Sequence, residues 1–118
     1  MIPVRRLAEN PIITPQMVPP SRPDFEVVCA FNAAVAEYRG EILLLLRVAE
    51  RARAEKGVAR VPVLDISRGK PRLKILEFDR SDKRVDFSDP RCIVAPSGFY
   101  LTTISHLRLA RSRDGIRF

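Results

Sequence analysis

Asp89 is the carboxylate of this chain whose surroundings best suit acid–base chemistry. It begins the segment Asp89-Pro90-Arg91, which directly precedes the apolar residues Cys92–Ala95. Because Pro90 has a fixed φ and no N–H to donate to a sheet, we expect a strand to begin after it. A carboxylate at the start of a strand lies at the rim of a β-architecture, where binding residues collect. The alternative is an aspartate that caps a turn beside a proline.

Two further polar residues lie next to apolar segments. Asn32 follows Phe25–Phe31, and its amide carries the donor and acceptor that suit sugar hydroxyls. Arg47 lies between Leu46 and Val48, where a half-buried guanidinium needs an anionic or hydroxyl-rich partner. The simpler alternatives are an asparagine in a turn and an arginine on the polar face of a strand.

Several kinds of catalytic centre have no support in the sequence. There is no glycine-rich phosphate loop, no HExxH and no G-x-S-x-G motif. His106 is the only histidine, and Cys29 and Cys92 have no metal-ligand spacing. We therefore expect no metal site and no cofactor, and we expect the two cysteines to be buried free thiols in a reducing compartment.

Short strands separated by turn residues are predicted from residue 25 onward. Turn signals occur at Arg39-Gly40, at Arg68–Pro71 and at Pro96–Gly98, and Arg80–Arg84 is a charged loop. The predicted strands are Phe25–Phe31, Glu41–Val48, Val61–Ser67, Leu73–Phe78, Cys92–Ala95 and Phe99–Ile104, the first of them buried. Such spacing is typical of a sandwich, a barrel or a propeller.

A helix from Ala33 to Lys56 is the main competing interpretation, because alanine, leucine, glutamate and arginine favour helices. It would place Gly40 in mid-helix, at a cost of about 1 kcal/mol relative to alanine. A strand–turn–strand structure needs a glycine there, so we favour strands.

The first 24 residues differ in composition from the rest of the chain. They contain six of the ten prolines, which predicts an extended arm over residues 1–24 before a strand-rich unit over residues 25–118. Apolar residues such as Ile2, Val4, Ile13 and Val18 predict that the arm lies against other parts of the protein.

Length and charge exclude several classes of protein. The 118 residues allow one domain at most, and the longest apolar run, Ile42–Leu46, is far too short for a transmembrane helix. No signal peptide is visible, which predicts a cytoplasmic protein without membrane contact. The net charge is +7, but acidic residues are scattered among the basic ones, so nucleic-acid binding is not the first expectation.

In order and spacing, several segments together resemble the N-terminal part of glycoside hydrolase family 130, the β-mannoside phosphorylases and related mannosidases. The matching segments are Arg6–Ile13, Phe31–Val35, Glu41–Arg51, Asp89–Arg91 and Leu107–Ile116. The resemblance implies a five-bladed β-propeller, of which this chain would form the N-terminal arm and the first blade or blades. It also implies that the chain is a fragment of a longer enzyme.

The resemblance also implies roles for individual residues. Asp89 matches the general acid, which protonates the glycosidic oxygen through the mannose 3-hydroxyl while phosphate attacks the anomeric carbon with inversion. Asn32, Arg47 and Arg53 match positions that contact the mannosyl unit. Ala33 departs from the family, in which a proline commonly follows the asparagine. The family's phosphate-binding residues lie beyond this chain, so we expect the isolated chain to be inactive.

The implied partners are a β-mannoside oligosaccharide and inorganic phosphate, with a possible homo-oligomer in the full-length enzyme. Two alternatives remain open. One is a non-catalytic basic β-module that binds an anionic polymer such as nucleic acid. The other is a small β-domain that has lost its ancestral chemistry.

Overall fold

The computed structural model describes residues 2–118, which form seven antiparallel strands and one turn of 3-10 helix at Pro15–Met17. The strands are β1 (Phe25–Tyr38), β2 (Glu41–Ala52), β3 (Val58–Asp65), β4 (Arg72–Asp79), β5 (Cys92–Ala95), β6 (Gly98–Leu101) and β7 (Ile104–Ser112). They form three sheets, with strand orders β1-β2-β7, β3-β4 and β5-β6.

The β1–β2 hairpin replaces the competing helix over residues 33–56. Arg39 and Gly40 form its two-residue turn, with φ angles of 51° and 74°. Two successive positive φ values are the signature of a type I′ turn, whose twist matches that of paired strands. The pairing continues from Tyr38↔Glu41 back to Phe25↔Ala52. Both strands are longer than the sequence predicts.

Two apolar clusters form the core. In β2 the side chains alternate, so Leu44, Leu46 and Val48 pack together with Val18 of the N-terminal segment. The second cluster joins the two small sheets through Ala59, Val61 and Ile93. The sheets are thus held by separate clusters.

The first strand is less buried than the sequence predicts. Phe25 is fully buried, but the rest of β1 is half-buried or exposed because β1 is an edge strand of its sheet. The prediction of two buried thiols is also wrong: Cys29 lies on this edge strand and is exposed, and Cys92 at the start of β5 is half-buried. Both cysteines are free thiols.

Other predicted strands differ in their bounds. The segment Phe99–Ile104 is not one strand, because Thr102 and Thr103 separate β6 from β7. Strand β3 begins three residues earlier than predicted and ends at Asp65, since the Asp65 carboxylate accepts hydrogen bonds from Ser67 and turns the chain there.

The N-terminal segment meets the first sheet over part of its length. Residues 2–24 contain no strand, and Ile13 and Val18 pack against β2. The expectation that the segment lies against other parts of the protein is confirmed for Ile13 and Val18, whereas Ile2 and Val4 are 88% and 96% exposed. The part of the segment that contains Ile13 and Val18 therefore packs against one face of the β1-β2-β7 sheet.

Candidate active site

A cleft of about 510 Å³ lies where the three sheets meet, and Asp89 lines it. Val28 and Ala52 contribute to it from the first sheet, and Ala59 and Ile93 contribute from the other two. The sheet arrangement thus places the predicted acid in a concave site, as expected for a residue that contacts substrate.

The turn at residues 89–91 holds the Asp89 carboxylate in place. Its Oδ1 accepts hydrogen bonds from the backbone N–H of Arg91 at 2.8 Å and from Arg91 Nε at 3.0 Å, and its Oδ2 accepts one from Arg91 Nη2 at 2.7 Å. The turn is the one that the capping interpretation predicts. Capping and acid chemistry are compatible, since the same carboxylate also lines the cleft.

These bonds lower the pKa of Asp89 to about 2, chiefly through the side chain of Arg91 and then through its backbone N–H. A general acid that works near neutral pH needs a raised pKa. In the structure described here, Asp89 is therefore an ionised carboxylate paired with Arg91.

Asn32 and Arg47 lie close together on neighbouring strands. Asn32 has a φ of 50° within a β-bulge, where the pairing register shifts between Phe31 and Ala34. Arg47 pairs with Phe31 across the strands, and its guanidinium lies 5.0 Å above the Phe31 ring. Arg47 is exposed, so the expectation of a half-buried guanidinium is wrong. The face on which it lies is not polar, because its cross-strand partner in β7 is Leu107.

Arg53 lies just beyond β2 and contacts the N-terminal segment. Its Nε donates to the carbonyl of Pro23 at 3.2 Å, and its backbone N–H donates to the carbonyl of Asp24 at 2.9 Å. None of Asn32, Arg47 and Arg53 lines the cleft that holds Asp89. The structure therefore brings Asn32 and Arg47 together outside this cleft, whereas Arg53 lies between Ala52 and Ala54, which both line it.

Arginine side chains in the cleft are the feature that the sequence did not reveal. Arg51, Arg60, Arg80 and Arg91 all line it, and Asp89 is its only carboxylate among residues 2–118. Of these four arginines, only Arg91 could have been placed near Asp89 from the sequence, because it follows Asp89 by two residues. The others come from separate parts of the chain and meet only through the packing of the sheets.

A buried carboxylate outside the cleft joins the N-terminal segment to the first sheet. Glu50 is fully buried and accepts hydrogen bonds from the backbone N–H and the hydroxyl of Ser21. His106 Nδ1 lies 3.5 Å from the same carboxylate, and Arg108 contacts His106 Nε2 at 3.2 Å. This explains the single histidine as part of a structural network.

Residues 2–118 contain neither a cluster of metal ligands nor a membrane-spanning helix. No group of three or more histidine, cysteine, aspartate or glutamate side chains is placed to hold a metal ion in this part of the chain. Within the same residues, no helix has the length and apolar character needed to cross a membrane.

Comparison with known proteins gives a clear relationship to part of a mannoside-active enzyme. No protein-family model matches the chain. The chain is 45% identical over 120 residues to a β-1,2-mannobiose phosphorylase of Listeria innocua, an alignment that covers 98% of this chain and 33% of that protein. The solved complex of a β-1,2-mannobiose phosphorylase from Listeria innocua with β-1,2-mannobiose matches with a TM-score of 0.78 and 45% identity, over 96% of this chain and 33% of that one.

The structural match and the strand content confirm the predicted fold class, an all-β part of a five-bladed β-propeller. The chain spans about a third of the length of the relative that it matches. The suspected similarity to mannoside phosphorylases is confirmed for that third.

Proposed function

We propose that this chain forms part of an enzyme that cleaves β-mannosides by inverting phosphorolysis, with Asp89 as the general acid. The observation that carries the proposal is the 45% identity, across 98% of this chain, to a β-1,2-mannobiose phosphorylase. The position of Asp89 in a cleft supports it, because an acid must be able to contact the substrate. No cofactor takes part, and inorganic phosphate is the co-substrate.

In the proposed reaction, phosphate takes the place that water has in an inverting glycosidase. A phosphate oxygen forms a bond to the anomeric carbon as the glycosidic carbon–oxygen bond breaks with its electron pair. Asp89 gives its proton to the mannose 3-hydroxyl, which passes its own proton to the departing oxygen. The products are mannose 1-phosphate and the released sugar, with Asn32, Arg47 and Arg53 contacting the mannosyl unit.

Asp89 can act as an acid only if it is protonated before the bond breaks. The ion pair with Arg91 opposes this, because it stabilises the carboxylate. We propose that in the complete site the mannosyl unit takes the place of Arg91 beside Asp89. Burial of the carboxyl group under the sugar would then raise its pKa toward the working range.

We propose that the chain is inactive by itself. The cleft around Asp89 is open to solvent, and the exposed face of the first sheet carries Leu45, Leu107 and Leu109 without cover, at 40%, 63% and 57% exposure. Asn32 and Arg47 lie outside the cleft. A working site needs further protein to enclose the substrate and to bind phosphate.

A chimeric enzyme tests the proposal directly. In the Listeria innocua β-1,2-mannobiose phosphorylase, the matching third is replaced by this chain, and release of mannose 1-phosphate from β-1,2-mannobiose and phosphate is measured. We expect the chimera to be active and the free chain to be inactive. An inactive but folded chimera would contradict the proposal.

The role of Asp89 is tested in the same chimera with a matched control. Asp82 forms the same turn with Arg84, at 3.0 Å to the backbone N–H and 2.8 Å to Nη2, but it does not line the cleft. We expect Asp89→Asn to lower kcat at least about 100-fold, as removal of a general acid does, and Asp82→Asn to leave it unchanged. Equal effects of the two changes would mean that Asp89 serves only its turn.

A further inference from the structure

A cluster of polar side chains lies outside the cleft, where the N-terminal segment meets the first sheet. Glu50 is at its centre. This fully buried carboxylate accepts hydrogen bonds from the backbone N–H of Ser21 at 2.6 Å and from its hydroxyl at 2.5 Å. His106 and Arg108 of β7 complete the cluster. The proposed reaction uses none of these four residues, so their role is independent of it.

The contact between His106 and Arg108 determines which ring nitrogen carries the proton. Arg108 Nη2 lies 3.2 Å from His106 Nε2. A guanidinium is always a donor, so Nε2 is the acceptor and the single proton of the neutral ring is on Nδ1. Nδ1 lies 3.5 Å from Glu50 Oε2, an acceptor that suits an N–H group. The geometry therefore fits a neutral histidine.

Arg108 connects this histidine to the N-terminal segment. Its Nη2 donates to His106 Nε2, and its Nη1 donates to the backbone carbonyl of Pro19. Because the guanidinium is planar and rigid, its two ends cannot move independently of each other. Displacement of Nη2 from the imidazole therefore also displaces Nη1 from the carbonyl of Pro19.

A second proton on His106 reverses the role of Nε2. This nitrogen then carries an N–H, so two donors that belong to two cations face each other at 3.2 Å, and the contact with Arg108 becomes repulsive. At the same time the charged ring is attracted to Glu50 and competes with the Ser21 hydroxyl for Oε2. Both changes weaken bonds that hold residues 19–21 on the sheet.

One carboxylate and one guanidinium control the charge of His106. Glu50 of β2 and Arg108 of β7 are the charged side chains that contact it in the described part of the chain. Val48 lies opposite it on β2, and Ala30 lies opposite Val48 on β1, so the neighbouring strands contribute apolar residues here. The imidazole side chain is 33% exposed, which allows protons to reach it from solvent.

The part of the N-terminal segment nearest to the cluster is neutral overall. Arg22 and Asp24 follow Ser21 closely in sequence and pair with each other at 2.7 Å. The groups of the segment that bond to the cluster are the N–H and hydroxyl of Ser21 and the carbonyl of Pro19. The segment therefore responds to the charge of the cluster and does not set it.

We propose that a proton-sensitive latch holds the N-terminal segment: neutral His106 allows Arg108 to bind Pro19, and protonated His106 releases it. The latch is closed at pH 7.5 and opens toward pH 5.5, because histidine is the side chain whose charge ordinarily changes in this range. The apolar contact of Val18 with β2 remains, so opening loosens residues 19–21 without unfolding the sheet.

Hydrogen exchange of the full 118-residue chain at pH 7.5 and pH 5.5 tests the latch. The protection of each amide is corrected for its intrinsic exchange rate at that pH. We expect the protection of Ser21 to fall about tenfold or more at pH 5.5, as the loss of one charge-assisted hydrogen bond predicts. The amide of Arg80 donates to a carbonyl outside the cluster and should keep its protection. No fall at Ser21, or an equal fall at Arg80, overturns the proposal.

Three variants identify the group that titrates. His106→Gln keeps an acceptor for Arg108 in its amide oxygen but gains no proton in this range, so we expect equal protection of Ser21 at both pH values. Arg108→Gln removes the guanidinium and should give low protection at both. The control Arg72→Gln removes a positive charge from an exposed position on β4 and should keep the wild-type response. A wild-type response in His106→Gln overturns the proposal.

The ring nitrogens of His106 provide a test that needs no variant. Long-range ¹H–¹⁵N NMR spectra distinguish a proton on Nδ1 from one on Nε2. At pH 7.5 we expect the proton on Nδ1, because Nε2 accepts from Arg108. A proton on Nε2 at this pH overturns the proposal, even if His106→Gln does not fold.

Discussion

Asp89 has a local geometry that recurs along the chain. Six aspartates accept a hydrogen bond from the backbone N–H two residues later. They are Asp65, Asp79, Asp82, Asp86, Asp89 and Asp114. Such short-range bonds stabilise turns wherever an aspartate precedes one. What distinguishes Asp89 is its place in the cleft.

The charge state of Asp89 depends on Arg91. We expect Arg91→Met to raise the pKa of Asp89 from about 2 toward 3.8, because the largest cause of its lowering is the hydrogen bond from that side chain. The pKa of each aspartate is measured by NMR titration of its carboxyl carbon.

Arg84→Met is the matched control for this measurement. It removes the same interaction from Asp82, whose pKa is also lowered to about 2 by its arginine. We expect the control to raise the pKa of Asp82 and to leave that of Asp89 in place. A pKa of Asp89 that does not move in Arg91→Met would show that the backbone N–H alone holds the carboxylate ionised.

The bulge at Asn32 gives a test that separates backbone conformation from side-chain chemistry. Its φ of 50° is favourable for glycine and tolerable for asparagine, and costs other residues roughly 1 kcal/mol. We expect Asn32→Ala to lower the free energy of unfolding by about 1 kcal/mol and Asn32→Gly to leave it nearly unchanged, as measured by urea denaturation.

The Asn32→Gly variant then tests the proposed contact with the mannosyl unit. It removes the amide while it keeps the bulge, so in the active chimera we expect a raised KM together with wild-type stability. A glycine variant with an unchanged KM would mean that Asn32 serves only the backbone.

At the scale of elements, the N-terminal segment is attached to the first sheet by Ser21 and Glu50. The hydroxyl of Ser21 donates to a fully buried carboxylate, which loses a donor if the hydroxyl is removed. We expect Ser21→Ala to lower the free energy of unfolding by about 1–3 kcal/mol, the cost of a poorly satisfied buried polar group.

Ser67→Ala provides the comparison for Ser21→Ala. The Ser67 hydroxyl also donates to a carboxylate, that of Asp65, but at an exposed turn where water can replace it. We expect this change to cost less than about 0.5 kcal/mol. Similar costs for the two serines in urea denaturation would show that the segment is not held by the buried bond.

At the scale of the whole molecule, acid is expected to destabilise the fold. The pKa values of Asp82, Asp89 and Asp114 are lowered to about 2 by hydrogen bonds to their neighbours. Because the folded state favours the ionised form, these groups stabilise the protein fully above about pH 4. The stabilisation is lost as the pH falls through about 2.

The urea midpoint between pH 6 and pH 2 measures this loss. We expect a nearly constant midpoint down to about pH 4 and a steady fall below it. Each carboxylate contributes only modestly to the free energy of unfolding, because it is accessible to solvent. The contributions of several carboxylates add up. A midpoint unchanged at pH 2 would contradict the lowered pKa values.

The distribution of charge also bears on the alternative of a nucleic-acid-binding module, which stays a prediction. Many basic side chains are paired with acids, among them Arg51 with Glu26, Arg60 with Glu77 and Arg111 with Glu41. Such pairing leaves fewer cations to neutralise phosphates. Affinity for an oligonucleotide that falls steeply with salt would favour the module, since it reports the release of many counterions.

The sequence by itself determined the strand-rich fold, the hairpin turn at Arg39-Gly40 and the candidate acid Asp89. Alternation along β2 and turn residues are local signals, because side-chain direction and φ depend on neighbours in sequence. The resemblance to mannoside phosphorylases added roles that local signals do not contain.

Only the tertiary structure decided which surfaces are covered and which side chains share the cleft. The edge position of β1 exposes Cys29, although its local sequence is that of a buried strand. Arg51, Arg60 and Arg80 meet Asp89 through the packing of separate sheets. Such contacts join residues far apart in sequence, so no local pattern of residues determines them.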